Sequence, residues 1–83
     1  MFKPLPPLQA LRALEAASRH RSFTRAADEL SLTHSAISHH LRNLEDALGT
    51  PLFRRVGARM IPTSAGARLA ERVRLGLDRK SVV

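Results

Sequence analysis

Residues 22–49 read SFTRAADELSLTHSAISHHLRNLEDALG, and the rest of the chain is organised around them. Phe23, Ala26, Ala27 and Leu30 fall at i, i+3, i+4 and i+7, one face of a helix. Ser22 stands just before that run, where a short hydroxyl accepts from an otherwise unpaired amide of the first turn. Ser31-Leu32-Thr33 breaks the pattern: Leu32 is expected to plug the gap between two helices and Thr33 to cap the second. Ile37, Leu41, Leu44 and Leu48 then make a second apolar stripe. At about 100° per residue, His34, Ser35, Ser38, His39 and Arg42 fall away from that stripe. No acid joins them until Glu45 and Asp46. A short helix, a tight turn and a longer helix with an acid-free outer face make the pattern of a helix-turn-helix that reads DNA. The competing reading is a plain αα-hairpin with a solvated face.

Composition narrows the choice. The chain has 83 residues, enough for one small domain. A domain this size buries only about 60% of the surface its unfolded chain exposes, so a second copy is a natural source of further burial. There is no cysteine, hence neither a disulfide staple nor a thiolate metal site. The net charge is +7 and the isoelectric point is near 11.7. Such a balance favours a polyanionic partner. No apolar run approaches the ~20 residues of a bilayer span. The N-terminal MFKPLPPLQ has three prolines and no apolar core, unlike a signal peptide. A cytoplasmic, nucleoid-associated location is expected.

Outward from the centre, Met1–Pro7 reads as a proline-stiffened arm. Leu8, Leu11, Leu14 and Ala17, with Ala13 and Ala16, predict a first helix to about Ser18, followed by a basic corner Arg19-His20-Arg21. Gly49 is expected to end the third helix in a left-handed cap, and Pro51 to prevent its resumption. Leu52–Val56 and Met60–Thr63 lean towards strand around Gly57, which predicts a two-stranded hairpin carrying Arg54, Arg55 and Arg59. Such a ribbon needs docking, assigned here to Leu52, Phe53 and Ile61. Thr63 should cap a last helix from Ser64 to about Asp78, in which Leu69, Ala70, Val73 and Leu77 share a side. Gly66 and Gly76 weaken it by up to about 1 kcal/mol each. Arg68, Arg72 and Arg74 read as solvated.

Other chemistries fare poorly. His39 and His40 are neighbours that diverge on a helix, and His34 is five residues before His39. No ligand set is completed, so neither a metal nor a cofactor is expected. Ser22, Ser35 and Ser38 have no histidine and acid arranged around them, so no enzyme is expected. Aromatics are 4%, with no Trp or Tyr, against both a membrane-surface helix and a single-strand RNA platform.

Taken in order, the segments Leu8–Ala17, Ser22–Leu30, Thr33–Ser38, Leu44–Gly49, Pro51–Arg55 and Pro62–Gly66 closely resemble the N-terminal DNA-binding domain of LysR-type transcriptional regulators. The phrase Thr33–Ser38 is most similar to the branch containing the glycine-cleavage and β-lactamase regulators. The resemblance implies a mainly α winged helix-turn-helix with a small two-stranded β wing and a C-terminal linker helix that dimerises. Residues 1–63 would be the DNA-binding domain and 64–83 the linker helix and tail, with no effector-binding domain for a small molecule in this sequence. By family pattern His34, Ser35, Ser38 and His39 are groove-facing, Ser22, Thr24 and Arg25 phosphate-facing, and Arg54, Arg55 and Arg59 lie on the wing. Thr33 and Arg42 complete the expected DNA-contacting set, and Leu69, Val73 and Leu77 the dimerising stripe of a homodimer on an interrupted palindromic operator. Where this chain has His34, Ser35 and His39, the family often has glutamine, proline and arginine. These departures bear on base preference, not on the docking mode. Two functions follow from different classes: a sequence-specific DNA-binding dimer, or a truncated dimerisation module that pairs with a longer relative and modulates it.

Overall fold

The computed structural model describes residues 8–77. The arm expected over Met1–Pro7 and the tail from Asp78 onward lie outside the described residues. The elements are α1 (Leu8–His20), α2 (Phe23–Leu30), α3 (His34–Leu48), β1 (Phe53–Val56), β2 (Arg59–Pro62) and α4 (Ser64–Leu77). This is a mainly α winged helix-turn-helix.

The caps follow local chemistry. Ser22 Oγ accepts from Arg25 N at 3.1 Å, and Thr33 Oγ1 accepts from Ala36 N at 3.0 Å. Each satisfies one amide the helix itself leaves unpaired. Gly49 closes α3 with φ 70°. Ser31 closes α2 with φ 58°, and Leu32 N donates to Ala27 O at 2.9 Å, which seats the partly buried Leu32 against the core. α1 runs two residues beyond the expected Ser18. Arg19 reaches back one turn to Glu15 and across to Glu29 of α2, and Arg21 N donates to Ala17 O at 2.8 Å. The corner is therefore Arg21 alone.

α1 is the central helix and packs against α2, α3, α4 and β2. Its inner face is Ala10, Ala13, Leu14, Ala16 and Ala17, and the four alanines admit neighbouring helices at close range. Leu14, Ile37, Leu44 and Leu52 are the largest fully buried side chains. Leu8, expected inside, is exposed. Leu48 ends the α3 stripe but is 47% exposed. It lines an open groove with Leu52, Ala65 and Leu69 instead.

The wing pairs Phe53 with Pro62, Arg54 with Ile61, Arg55 with Met60 and Val56 with Arg59. Gly57 turns it at φ 64°, a conformation glycine takes without strain. Directly paired residues share a face of the ribbon. Phe53 and Met60 lie on the face packed against the core; Ile61 lies on the other, with Arg54. The docking residues are thus Leu52, Phe53 and Met60, and the expectation for Ile61 is corrected by register. Phe23 and Phe53 meet edge to face with centroids 5.5 Å apart. Glu45 fixes the base of the wing, its Oε2 accepting from Leu52 N at 2.7 Å and Phe53 N at 3.3 Å. Thr63 ties the start of α4 to the same loop, donating from Oγ1 to Pro51 O at 2.8 Å while accepting from Gly66 N at 3.1 Å.

Candidate nucleic-acid interface

Three elements bring the expected contact residues to the surface. At the start of α2, Thr24 and Arg25 are exposed and Ser22 is half-buried under its capping bond. On α3, His34, Ser35, His39 and Arg42 are exposed and Ser38 is half-buried. Thr33 is exposed, with its hydroxyl oxygen accepting the cap bond. Arg54, Arg55 and Arg59 are exposed on the wing.

The side chains have local partners. The His34 ring lies 5.9 Å from that of Phe23, tilted by 48°, and Phe23 in turn rests on Phe53. A short aromatic chain therefore links the first turn of α3 to the wing. His39 Nε2 lies 3.1 Å from Asn43 Nδ2, one turn on. Register separates the wing cations: Arg54 and Arg59 share the outer face, while Arg55 shares the inner face with Met60 near the tip.

Electrostatics sort the arginines into two groups. Arg19 bonds Glu15 and Glu29 at 2.9 Å. Hydrogen bonding to Glu15, then to Glu29, pushes its guanidinium well above the usual arginine range. The same bond from Arg19, followed by one from His20 at 2.7 Å, holds the Glu29 carboxyl below its ordinary value. Arg74 bonds Glu71. By contrast Arg25, Arg42, Arg54, Arg55 and Arg59 have no ion pair among the described residues. Of the basic corner predicted from sequence, Arg19 is neutralised by Glu15, one turn back on α1, and by Glu29 of α2, a tertiary contact that the sequence does not display. No group of three or more potential metal ligands occurs among the described residues, and no described helix is long and apolar enough to cross a membrane.

A family model described as bacterial regulatory helix-turn-helix protein, lysR family, matches residues 8–67. The chain belongs to that family. Its curated relatives include the glycine cleavage system transcriptional activator of Escherichia coli K12, 54% identical over 66 residues, which are 80% of this chain and 22% of the relative. The transcriptional activator AmpR of Pseudomonas aeruginosa is 49% identical over 69 residues, 83% of this chain and 23% of that protein. The chain thus spans less than a quarter of the length of these relatives. Both agree with the branch that Thr33–Ser38 resembles. Among solved structures, the DNA-binding domain of BenM in a complex with catB site 1 DNA superposes with a TM-score of 0.82 at 30% identity, covering 88% of this chain and 81% of that one. The LysR-type chain described here is therefore a winged helix-turn-helix DNA-binding domain, and its relatives are transcriptional regulators.

The stripe expected to dimerise is partly used inside the domain itself. Ala70 is buried, and Leu69 and Val73 are half-buried against the domain's own core. The side chain of Leu77 lies outside the described residues. Two features of the interface were missed in the sequence: Asn43 beside His39, detectable as an i, i+4 pair, and Glu45 under the wing, a contact of the folded state alone.

Proposed function

We propose that this chain is the DNA-reading part of a bacterial LysR-type transcriptional regulator. It binds an interrupted palindromic operator in double-stranded DNA, sequence-specifically and as a homodimer, on chromosomal DNA in the cytoplasm. The observation that carries the reading is the set of five exposed arginines with no ion pair among the described residues, Arg25, Arg42, Arg54, Arg55 and Arg59, spread over α2, α3 and the wing. They flank a helix start whose side chains are short or aromatic and carry no acid.

In this reading the first two turns of α3 enter the major groove. Ser35 and Ser38 permit close approach. His34 and His39 each offer a ring nitrogen to base edges such as guanine N7 and O6. Arg42, a turn later, grips the backbone, as do Ser22, Thr24 and Arg25 at the start of α2. Thr33 positions the first turn of α3. Arg54 and Arg59, on the outer face of the wing, reach phosphates or the minor groove, and Arg55 lies at the near edge. Residues 1–63 form the reading domain and 64–83 the linker helix and tail. Two α4 helices pair antiparallel through Leu69, Val73 and Leu77 and hold two half-sites about 34–36 Å apart, or a multiple of that.

The alternative, a dimerisation module with incidental DNA affinity, has no observation in its favour. The BenM relative is a DNA-binding domain of similar length in a complex with DNA, which supports binding without a further domain. The test is selection of sites from a random duplex pool with the purified chain, followed by titration across salt concentrations and light scattering of the complex. An enriched interrupted palindrome, a steep salt dependence and two chains per site are expected. No enrichment together with a flat salt response refutes the DNA reading, and one chain per site refutes the dimer.

A further inference from the structure

Two non-glycine residues have positive φ among those described, Ser31 at 58° and Arg21 at 55°. Ser31 is a helix C-cap, where the left-handed conformation is usual. Arg21 is different. It carries a long β-substituted side chain in a region that glycine and asparagine enter more readily.

The backbone of Arg21 explains the conformation but not the residue. Its N–H donates to Ala17 O at 2.8 Å, closing α1, and its carbonyl accepts from Met60 N of β2 at 3.3 Å. Glycine would make both bonds with less strain. What arginine adds is a cation. That side chain is exposed and has no ion pair among the described residues. The glutamates that flank the corner, Glu15 and Glu29, are held by Arg19 and His20. Arg21 also stands at a particular junction. It immediately precedes Ser22, the cap of α2, and is hydrogen-bonded to the wing, two of the three elements of the proposed DNA face. An exposed cation without an ion pair among the described residues therefore stands where those two elements meet.

We propose that Arg21 is a further DNA-phosphate-binding residue, held between the start of α2 and the wing by its left-handed backbone. The proposal rests on the DNA-binding reading above. A guanidinium can grip a phosphate through two parallel hydrogen bonds, and such a contact positions the protein without reading sequence. Arg19, two residues earlier, plays no such part because two carboxylates already occupy it.

The test uses the full chain, the duplex recovered by site selection, and the variants Arg21→Gly and Arg21→Lys, each with a thermal melt. Arg21→Gly relieves the strained φ and removes the cation, so it should melt higher than wild type yet bind DNA more weakly. The slope of log K against log salt should shrink by about 0.9 for each chain bound. That corresponds to roughly eightfold weaker binding per chain at 0.1 M salt, relative to 1 M. Arg21→Lys keeps the charge and should keep the slope. Opposite signs for stability and binding separate this outcome from general loss of fold. An Arg21→Gly protein that binds with the wild-type slope overturns the proposal and leaves the DNA reading standing. A wild-type chain without salt-dependent binding overturns the reading beneath it.

Discussion

Gly66 offers a sharp test of how α4 is seated. Counted along the sequence it is a weak point in a helix, and replacing it with alanine would be expected to gain about 1 kcal/mol of helix propensity. The structure reverses the sign. A Cβ built on Gly66 would lie 2.0 Å from Leu52 O and 2.9 Å from Leu52 C. Those are backbone atoms, and the segment that carries them is pinned. Glu45 holds Leu52 N, Thr63 N donates to Leu52 O at 2.9 Å, and Thr63 Oγ1 holds Pro51 O. No rotamer change relieves the clash; α4 or the loop must move by about an ångström. Overpacking of that kind costs about 1–3 kcal/mol, occasionally more, and a backbone obstacle belongs at the upper end. After the propensity gain, Gly66→Ala should lose roughly 2 kcal/mol, which lowers Tm by about 8–16 °C in a domain of this size. Gly76 is the internal control. Nothing lies within 4 Å of its added Cβ, so Gly76→Ala should raise Tm. Thermal unfolding followed by circular dichroism reads both. A Gly66→Ala protein that melts at or above wild type refutes the argument that α4 is held by close approach to Leu52.

Four further outcomes are expected. Arg59→Ala, on the outer face of the wing, should weaken binding across sequences and reduce the salt slope by about 0.9 per chain, measured by fluorescence anisotropy; an unchanged slope would take the wing off the DNA. Leu69→Glu combined with Val73→Glu should yield monomers by light scattering, with DNA affinity collapsing as the two half-sites are no longer held together. Because those residues are also half-buried in the domain, the double variant should also melt lower, and a wild-type chain that stays monomeric both free and on DNA would remove the dimer. Glu29 has its carboxyl below the ordinary value near 4.5 because Arg19, then His20, bonds it; its folded pKa lies below its unfolded one, so its stabilisation is present above about pH 4.5 and lost as pH falls through the folded value. Glu29→Gln should therefore flatten the acid limb of urea midpoints, by a small amount since the group is exposed. Finally, His39→Gln should change the selected site at one base pair per half-site by about 1–3 kcal/mol, and an unchanged site would remove His39 from readout.

What the sequence reveals is what local chemistry decides. Ser22, Thr33 and Gly49 cap their helices, and Gly57 turns the wing, because each role needs only the few residues around it. The two stripes of the helix-turn-helix are legible for the same reason, down to Ile37, Leu41 and Leu44 inside. Leu48 fails because burial at a helix end depends on which element lies opposite, and there an open groove begins. Ile61 fails because the face a strand residue takes is set by hairpin register, which gives the core to Met60. Arg19 looks equal to Arg25 in one dimension, yet α1 packed on α2 brings it to Glu29. The types of residue at the candidate interface can be read in advance; which cations remain available there cannot.

That distinction changes how the net charge of +7 should be understood. Every one of the four glutamates has a structural partner. Glu15 and Glu29 hold Arg19, Glu45 holds the amides of Leu52 and Phe53, and Glu71 holds Arg74. These glutamates act as internal acceptors, and the five arginines of α2, α3 and the wing have no ion pair among the described residues. Overall charge governs how the protein is drawn towards a polyanion, over distances limited to about 8–10 Å of screening in ordinary salt. Docking depends on where the unneutralised cations stand and on whether their elements are fixed. Removing the Glu45 carboxylate would raise the net charge by one, yet strip the acceptor from the two amides at the base of the wing. An orphaned buried amide costs about 1–3 kcal/mol, whereas one extra exposed charge adds a long-range attraction that salt screens. The geometry of the wing, and with it the placement of Arg54 and Arg59, outweighs the added charge.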